Sequence, residues 1–373
     1  MADSKASDHT SGRGARRAAR TTGRRELLGG LGAASAAGLV PRAAGAAAAP
    51  KGGASDQAAI VTAADSRECA RLKALDLSAP EVVARQKKMP TGKIGDLTVG
   101  RLISGSNLIS MNMHSRDLGY VRELATHYNT EDRVFMTLKR CEELGVNTIV
   151  LKSHNFKRFR LSKYWQEWGG RMQWIADVIT TDINQWERLL VEHLELGAAA
   201  AYLWGGASDI WCHQKKQGNI VKAMEIMRKH GVPAGICAHK LEPIQFAEAE
   251  GLAPDFYMKT LHHDGYWSAH PKGNRRPLEM YQANSPDHAE YHDNLFCQDF
   301  SETIAFMQGV QAPWIAFKVL AAGAIPPKDG FAKAFEGGAD FLCVGMFDFQ
   351  VAEDAQLAQQ AVAKAKGRER PWR

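Results

Sequence analysis

Two lysines, Lys259 and Lys318, lie within short apolar segments of the sequence, FYMKT at 256–260 and IAFKVL at 315–320. A lysine in such surroundings is costly to bury unless it pairs with an acid or loses its proton. Two of them side by side would each lower the pKa of the other, which activates an amine for attack on a carbonyl group. The sequence therefore predicts Schiff-base chemistry at this pair. Pairing with an acid such as Asp177, or binding of a ligand anion, is the alternative.

Histidine and carboxylate side chains form a second candidate set. They fall where strands are predicted to end, so several could meet as nitrogen and oxygen ligands of a divalent metal ion. The predicted ligands are His154, Asp177, His239 and His262. No local metal motif such as HExxH accompanies them. The alternative is that His239 and His262 act as general acid and base.

A long segment, 262–298, is rich in histidine and aromatic residues. Loops of this length inside a compact domain are usually lids or binding loops, and its rings suit a small polar ligand such as a sugar. The alternative is that this segment is a solvent-exposed surface loop with no role in binding. We predict a small-molecule substrate and the following binding residues: Asn107, Lys152, His154, Trp204, His263, Tyr266, Trp267, Gly323 and Gly345.

These side chains need a fold that brings distant segments together. Within residues 89–373, short apolar runs alternate with longer amphipathic stretches, which is typical of repeated βα units. Strands are predicted at 101–104, 147–151, 172–177, 199–204, 232–238, 255–261, 314–320 and 340–344. Eight such units predict an α/β fold, a (β/α)8 TIM barrel, whose catalytic groups lie at the carboxyl ends of the strands. A small hairpin at 92–99 precedes the barrel. An open doubly wound sheet would normally carry a Gly-rich loop after its first strand, and none is present.

Capping residues set several predicted helix boundaries. Thr130 precedes a helix predicted over 131–144. Asp299 stands three residues before Glu302, which is the spacing of a capping box, and Pro327 opens a helix before the eighth strand. In the seventh predicted strand, bulky residues at 315, 317 and 319 alternate with Lys318 and its neighbours. We expect the bulky set to face the helices and Lys318 to point inward, with Lys259 oriented likewise.

The two lysine segments resemble the deoxyribose-phosphate aldolase family, in FYMKT at 256–260 and FKVLAAG at 317–323. The resemblance implies aldolase activity, with Lys259 and Lys318 as the lysines of the sixth and seventh strands. The segments AGAI at 322–325, EGGAD at 336–340 and VG at 344–345 look like the end of a phosphate-binding barrel. There, backbone amides and a helix N-terminus hold an anion.

The N-terminal half resembles the aldo-keto reductases, in PTGKIGDLTVGRLISG at 90–105 and ELGVNTI at 143–149. Hydride transfer in that family needs an Asp, Tyr, Lys and His set. Here KSH at 152–154, Ala176-Asp177 and Trp204-Gly205 stand at the corresponding strand ends. The resemblance therefore implies the fold without the redox chemistry, and NADP is not expected as a cofactor.

Residues 1–49 differ from the rest of the chain. An Arg-rich stretch leads through Arg24-Arg25-Glu26-Leu27-Leu28, which resembles the twin-arginine export motif, into a Gly/Ala-rich apolar run. The run is too short for a stable membrane span. The resemblance implies that the translocation machinery exports the folded protein to the periplasm or beyond. A disordered Ala/Arg-rich tail is the alternative, and residues 50–88 are predicted to be a linker with a short helix.

Charge and cysteine content narrow the function further. The formal net charge is +6, but residues 1–49 hold eight Lys and Arg against three Asp and Glu, so the remainder is at +1. This balance gives no electrostatic case for nucleic-acid binding. The six cysteines are scattered without a CxxC pair and are predicted to be buried thiols. The sequence does not specify an oligomeric state.

Taken together, these features predict an exported enzyme that acts on a small hydroxylated carbonyl compound or sugar derivative by aldolase-like lyase or isomerase chemistry. Lys259, Lys318, His239 and His262 would be its catalytic residues. The alternatives are a hydrolase or isomerase with a divalent metal cofactor, an aldo-keto-reductase-like oxidoreductase, and a sugar-binding barrel without activity.

Overall fold

The computed structural model describes residues 87–115, 118–152, 159–275 and 296–373. The predicted signal at 1–49, almost all of the linker at 50–88, and His154 lie outside these ranges. The fold below is that of the barrel domain.

An antiparallel hairpin opens the described part of the chain. β1 (Thr91–Ile94) pairs with β2 (Leu97–Gly100) through a tight turn at Gly95, whose φ of +52° favours glycine. Ile94 and Val99 are fully buried against side chains inside the barrel. The hairpin, which the sequence predicted at 92–99, therefore closes the end of the barrel at which the strands begin.

Eight parallel strands form a closed barrel. They are β3 (Leu102–Gly105), β4 (Thr148–Lys152), β5 (Gln173–Val178), β6 (Ala200–Leu203), β7 (Ala234–Ala238), β8 (Phe256–Thr260), β9 (Trp314–Phe317) and β10 (Phe341–Gly345). Each strand pairs with the next, and β10 returns to β3. Helices surround the sheet, so the predicted TIM barrel is confirmed, and all eight strands lie where the sequence placed them.

The helices lie between successive strands, except for the last one, which follows β10. They are α1 (Gly119–Tyr128), α2 (Glu131–Glu143), α3 (Leu161–Glu167), α4 (Ile183–Glu195), α5 (Gly205–His213), α6 (Gly218–Lys229), α7 (Glu242–Ala249), α8 (Phe300–Met307), α9 (Pro327–Glu336) and α10 (Val351–Lys364). The predicted caps are present: Thr130 accepts a hydrogen bond from the backbone N–H of Arg133, and Asp299 accepts one from Glu302. Pro327 is the first residue of α9.

The predicted orientation of the seventh barrel strand is wrong. Ile315 and Phe317 belong to the cluster inside the barrel, whereas Ala316 and Val319 pack in the outer layer between the sheet and the helices. The strand also ends at Phe317, three residues earlier than predicted. Lys318 therefore does not owe its direction to strand alternation, and a different local feature must set it.

An ion-pair cluster ties the C-terminal segment to the barrel. Asp340, which is fully buried just before β10, pairs with Arg368 and with the equally buried Arg370. Arg101 and Arg368 both place their guanidinium groups over the ring of Trp372. Because a buried carboxylate is costly without such partners, this cluster stabilises the join between the chain end and the sheet.

Five cysteines lie in the described ranges, and all are buried thiols without a disulfide, as predicted for them. Among the residues that the structure describes, no helix is both long and apolar enough to cross a lipid bilayer.

Candidate active site at the barrel mouth

A cavity of about 360 Å³ opens where the barrel strands end. Its size is at the lower end of the roughly 300–1,000 Å³ typical of small-molecule sites. Its polar and ionisable lining includes Asn107, Asn112, His114, Lys152, Asp177, Tyr202, His239, Lys318 and Asp354. Its apolar lining includes Trp204, Cys237, Met258, Phe296, Phe317 and Cys343.

Lys318 is one of the two lysines that line this cavity, together with Lys152. It follows β9 directly, and its φ of +57° is left-handed, which turns the chain out of the strand and directs the side chain into the mouth. Its Nζ lies 2.8 Å from Nε2 of His114 and 3.7 Å from the centre of the Phe296 ring. A non-glycine residue at such a φ stores backbone strain, a feature that clusters at functional sites.

The pKa of Lys318 is lowered to about 7, first by burial and then by the positive charge of Lys152. At neutral pH Lys318 is therefore present in part as an uncharged amine with a lone pair. Burial and neighbouring cations also lower the pKa of His114 to about 2, so its ring stays neutral and its Nε2 can accept a hydrogen bond from Lys318. Phe296 packs edge-on against His114 and shields the pair from water.

Lys152, Asp177 and Tyr202 stand in register on three neighbouring strands. Lys152 on β4 pairs with Asp177 on β5, which pairs with Tyr202 on β6. Side chains at paired positions of parallel strands point to the same face, so the three form one row along the cavity wall. Burial raises the pKa of Asp177 to about 7, while Lys152 and a hydrogen bond from Tyr202 oppose the rise. Oδ1 of Asp177 has no hydrogen-bond partner among the described residues, although the residue is only 3% exposed.

His239, after β7, is held by a carboxylate. Its Nδ1 lies 2.9 Å from Oδ2 of Asp209 on α5, and the backbone N–H groups of His239 and Lys240 donate to the same carboxylate. An ionised carboxylate can only accept, so Nδ1 carries the proton. Burial lowers the pKa of His239 against the opposing effect of Asp209. The neutral ring thus has Nε2 as its acceptor nitrogen, and His239 lines the cavity.

Lys259 lies on the other side of the sheet from the cavity, so its predicted orientation is wrong. Phe256 and Met258 of β8 point into the barrel, and Lys259 alternates with them toward the helices. It is 1% exposed, and its Nζ donates to the carbonyl and the hydroxyl of Thr260. Thr260 in turn donates to the carbonyls of His239 and Phe296. Lys259 is therefore not placed beside Lys318 at the mouth, and Lys152 is the lysine whose charge reaches Lys318.

His262 does not line the cavity either. Its Nε2 accepts hydrogen bonds from the backbone N–H groups of Phe296 and Cys297, and its Nδ1 lies 3.1 Å from the carbonyl of His263. Burial lowers its pKa to about 4, in keeping with a neutral ring. Both nitrogens bond to backbone groups, so the structure does not bring His262 together with Lys318 and His239 in the cavity, and its catalytic and metal-binding roles stay predictions. Within the described ranges, no three His, Cys, Asp or Glu side chains stand together as a metal site.

Apart from His154, which lies outside the described residues, the predicted binding residues divide into two groups. Asn107, Lys152, Trp204, Gly323 and Gly345 line the cavity. Three residues of the long loop lie elsewhere: His263 bonds to Asp329, Tyr266 packs near His262, and Trp267 is 94% exposed.

The turn at 321–325, which the aldolase resemblance implies as a phosphate-binding site, uses backbone amides in hydrogen bonds of its own. The backbone N–H groups of Ala321, Gly323, Ala324 and Ile325 donate to carbonyls of residues 318–321 within the same turn. These amides therefore do not point at a ligand anion.

Sequence reasoning missed two contributors to the site. Tyr202 lies within the predicted fourth strand, and strand alternation could have placed it beside Asp177. Asp209 lies in α5, and no sequence signal connects it to a histidine 30 residues later.

No protein-family model matches this chain. No curated protein matches it either. Solved structures do resemble it in fold. A Pseudomonas aeruginosa protein assigned as an aldo-keto reductase is 16% identical, over 75% of this chain and 98% of that one, with a TM-score of 0.50. A Coccidioides immitis protein assigned as a deoxyribose-phosphate aldolase is 11% identical, over 69% and 85%, with a TM-score of 0.40. At such identities the similarity concerns the fold alone, and activity must be argued from the site.

Proposed function

We propose that this protein is an enzyme that forms a Schiff base between Lys318 and a small hydroxylated carbonyl compound and then cleaves or rearranges it. The observation that carries the proposal is the amine itself. Lys318 lies in a cavity of small-molecule size, and burial together with Lys152 lowers its pKa to about 7. An amine that is partly uncharged at neutral pH is a competent nucleophile toward a carbonyl carbon.

Two further groups supply the proton transfers of Schiff-base formation. When Nζ of Lys318 adds to the carbonyl carbon, Nε2 of His239 accepts a proton from the nitrogen and returns it to the oxygen. The protonated Asp177 then donates its proton as that oxygen leaves as water, and the product is an iminium ion with an Asp177 carboxylate. Because burial raises the pKa of Asp177 to about 7, the carboxyl can both donate and accept at neutral pH.

Cleavage uses the same carboxylate in reverse. Asp177 accepts the proton of a substrate hydroxyl as the adjacent carbon–carbon bond breaks, and the bonding electrons pass to the iminium nitrogen. An aldehyde leaves and an enamine stays on Lys318. Asp177 then protonates the enamine carbon, and water hydrolyses the resulting iminium ion, which restores the amine and the protonated carboxyl. Asp209 acts as a positioning residue that keeps His239 in the required tautomer.

Borohydride trapping tests the proposal directly. The protein is incubated with a panel of aldehydes and ketones, reduced, and analysed by intact mass and peptide mapping. We expect an adduct on Lys318, its loss in Lys318→Met, and no adduct on Lys259, which serves as an internal control because it lies outside the cavity. Protein that remains unmodified across the panel, or labelling that persists in Lys318→Met, would contradict the proposal.

Export is a second part of the proposed function. It is supported by the twin-arginine-like sequence and the small-residue stretch that follows it. Fractionation of cells that express the full chain provides the test. We expect the protein outside the cytoplasm, and we expect it to be retained in the cytoplasm when Arg24 and Arg25 are both changed to Lys. Unchanged export of that variant would contradict a twin-arginine route.

A further inference from the structure

One wall of the cavity combines a cation with an unsatisfied acceptor. Lys152 and Asp177 are register partners on β4 and β5, so their side chains leave neighbouring strands on the same face. Oδ1 of Asp177 has no hydrogen-bond partner among the described residues. A buried carboxyl oxygen without a donor is costly unless a ligand supplies one. The wall therefore suits a ligand with a hydroxyl donor beside an anionic group.

Lys152 and Lys318, the reacting amine, line the same cavity. Its charge lowers the pKa of Lys318 and opposes the rise in the pKa of Asp177, so it acts on both groups. The anionic group of a ligand that pairs with Lys152 would thus lie near the carbon that Lys318 attacks. In a 2-oxo acid the carboxylate is bonded directly to the carbonyl carbon, which satisfies this condition.

Asp354, the second carboxyl group in the cavity lining, repels a ligand anion only weakly. Burial raises the pKa of Asp354 to about 7, as it does for Asp177, so both are partly protonated at neutral pH. His114 and His239 have lowered pKa values, mainly because of burial, and are neutral. Lys152 is therefore the group in this lining best suited to select a charged substrate.

We infer that the substrate is a small hydroxylated 2-oxo acid, with its carboxylate on Lys152, its carbonyl carbon at Lys318 and its hydroxyl on Asp177. This inference rests on the proposed Schiff-base function. In a 4-hydroxy-2-oxo acid, cleavage breaks the bond between carbons 3 and 4. The hydroxyl proton passes to Asp177, carbon 4 leaves as an aldehyde, and the three remaining carbons leave Lys318 as pyruvate after protonation and hydrolysis.

Two probes of equal size separate the effect of the ligand's charge from the effect of its shape. Pyruvate and pyruvamide differ in carrying a carboxylate or an uncharged amide beside the same ketone. The concentration that gives half-maximal borohydride trapping on Lys318 is measured for each, and dihydroxyacetone phosphate is included as an anion of another class. We expect pyruvate to trap at a concentration at least about tenfold lower than either competitor, since charge-assisted hydrogen bonds are the stronger kind.

Substitutions of Lys152 connect that preference to one residue. Lys152→Gln removes the cation and also raises the pKa of Lys318, which slows trapping of every ketone. The ratio between pyruvate and pyruvamide cancels that common effect. We expect the ratio to fall to about one in Lys152→Gln and to be retained in Lys152→Arg and in the surface control Lys222→Gln.

The possible failures are distinguishable. If pyruvamide traps on Lys318 as well as pyruvate does, or if Lys152→Gln keeps the preference, the 2-oxo acid assignment is wrong while the Schiff-base function stands. Preferential trapping of dihydroxyacetone phosphate would replace the carboxylate with a phosphate ester. If no ketone is trapped on Lys318, the proposed function fails and the assignment fails with it.

Discussion

The lowered pKa of Lys318 gives the most decisive prediction, because a single substitution should move it. Lys152→Gln removes the neighbouring positive charge and leaves the burial of Lys318 unchanged. We expect the pKa of Lys318 to rise from about 7 in the wild type toward that of an ordinary lysine. Lys152→Arg retains a cation at the same place and serves as the matched control.

The expected size of the pKa change in Lys152→Gln follows from which cause of the lowered pKa is larger. A neighbouring charge moves a pKa by about one to three units. Burial is the larger cause at Lys318, so the share of Lys152 should lie near the lower end, at about one unit. For the wild type, a pKa of about 7 instead of the roughly 10.4 of free lysine means about a thousandfold more uncharged amine at pH 7.

Competitive labelling with isotopic acetic anhydride measures this pKa. Acetylation of the Lys318 peptide is followed by mass spectrometry from pH 5 to 11, with a free lysine derivative in the same tube as reference. We expect midpoints near 7 for the wild type and Lys152→Arg, and about one unit higher for Lys152→Gln. A wild-type midpoint near 10, or an unchanged midpoint in Lys152→Gln, would refute the electrostatic account of the site.

Three predictions concern stability. Unfolded Lys318 keeps its proton to about pH 10.4 while the folded residue loses it near 7, so stability rises with pH across that window. Lys318→Met should therefore raise the free energy of unfolding, measured in urea, at pH 6 but not at pH 10. The same effect at both pH values would contradict this prediction. Asp340→Asn should lower the free energy of unfolding by about 3–5 kcal/mol, because it leaves Arg370 buried without its counter-charge. A loss below about 1 kcal/mol would contradict a stabilising role for the ion-pair cluster. His262→Ala should lower the free energy of unfolding by roughly 1–3 kcal/mol, and the exposed control His213→Ala should leave it almost unchanged. Equal losses would mean that the hydrogen bonds from His262 to the backbone at 296–297 do not stabilise the protein.

The fold could be predicted because the barrel repeats one pattern eight times. Each predicted strand is a short apolar run between longer amphipathic stretches, so an error of a residue or two at an end does not change the topology. Lys152, Asp177 and His239, which lie at or just after the carboxyl ends of their strands, therefore line the mouth where the sequence predicted them.

The side-chain directions were harder to predict, for a geometric reason. A shift of one residue along a strand moves a side chain to the opposite face. Lys259 lies one residue from Met258, which faces the cavity, and that single step puts its amine on the helix side. Lys318 reaches the mouth through a left-handed backbone conformation, which residue type does not reveal because the position is not a glycine. His262 shows a third limit, since only the fold reveals that residues 296 and 297 return to it.

The hairpin formed by β1 and β2 bears on the order of product release under the proposed function. Because Ile94 and Val99 fill the barrel at the end where the strands begin, the cavity beside Lys318 lies at the opposite end of the barrel. In the proposed Schiff-base reaction, the aldehyde leaves the cavity while the other fragment is still bound to Lys318. Steady-state kinetics should accordingly show sequential departure, in which the aldehyde leaves first and the lysine-bound fragment leaves last.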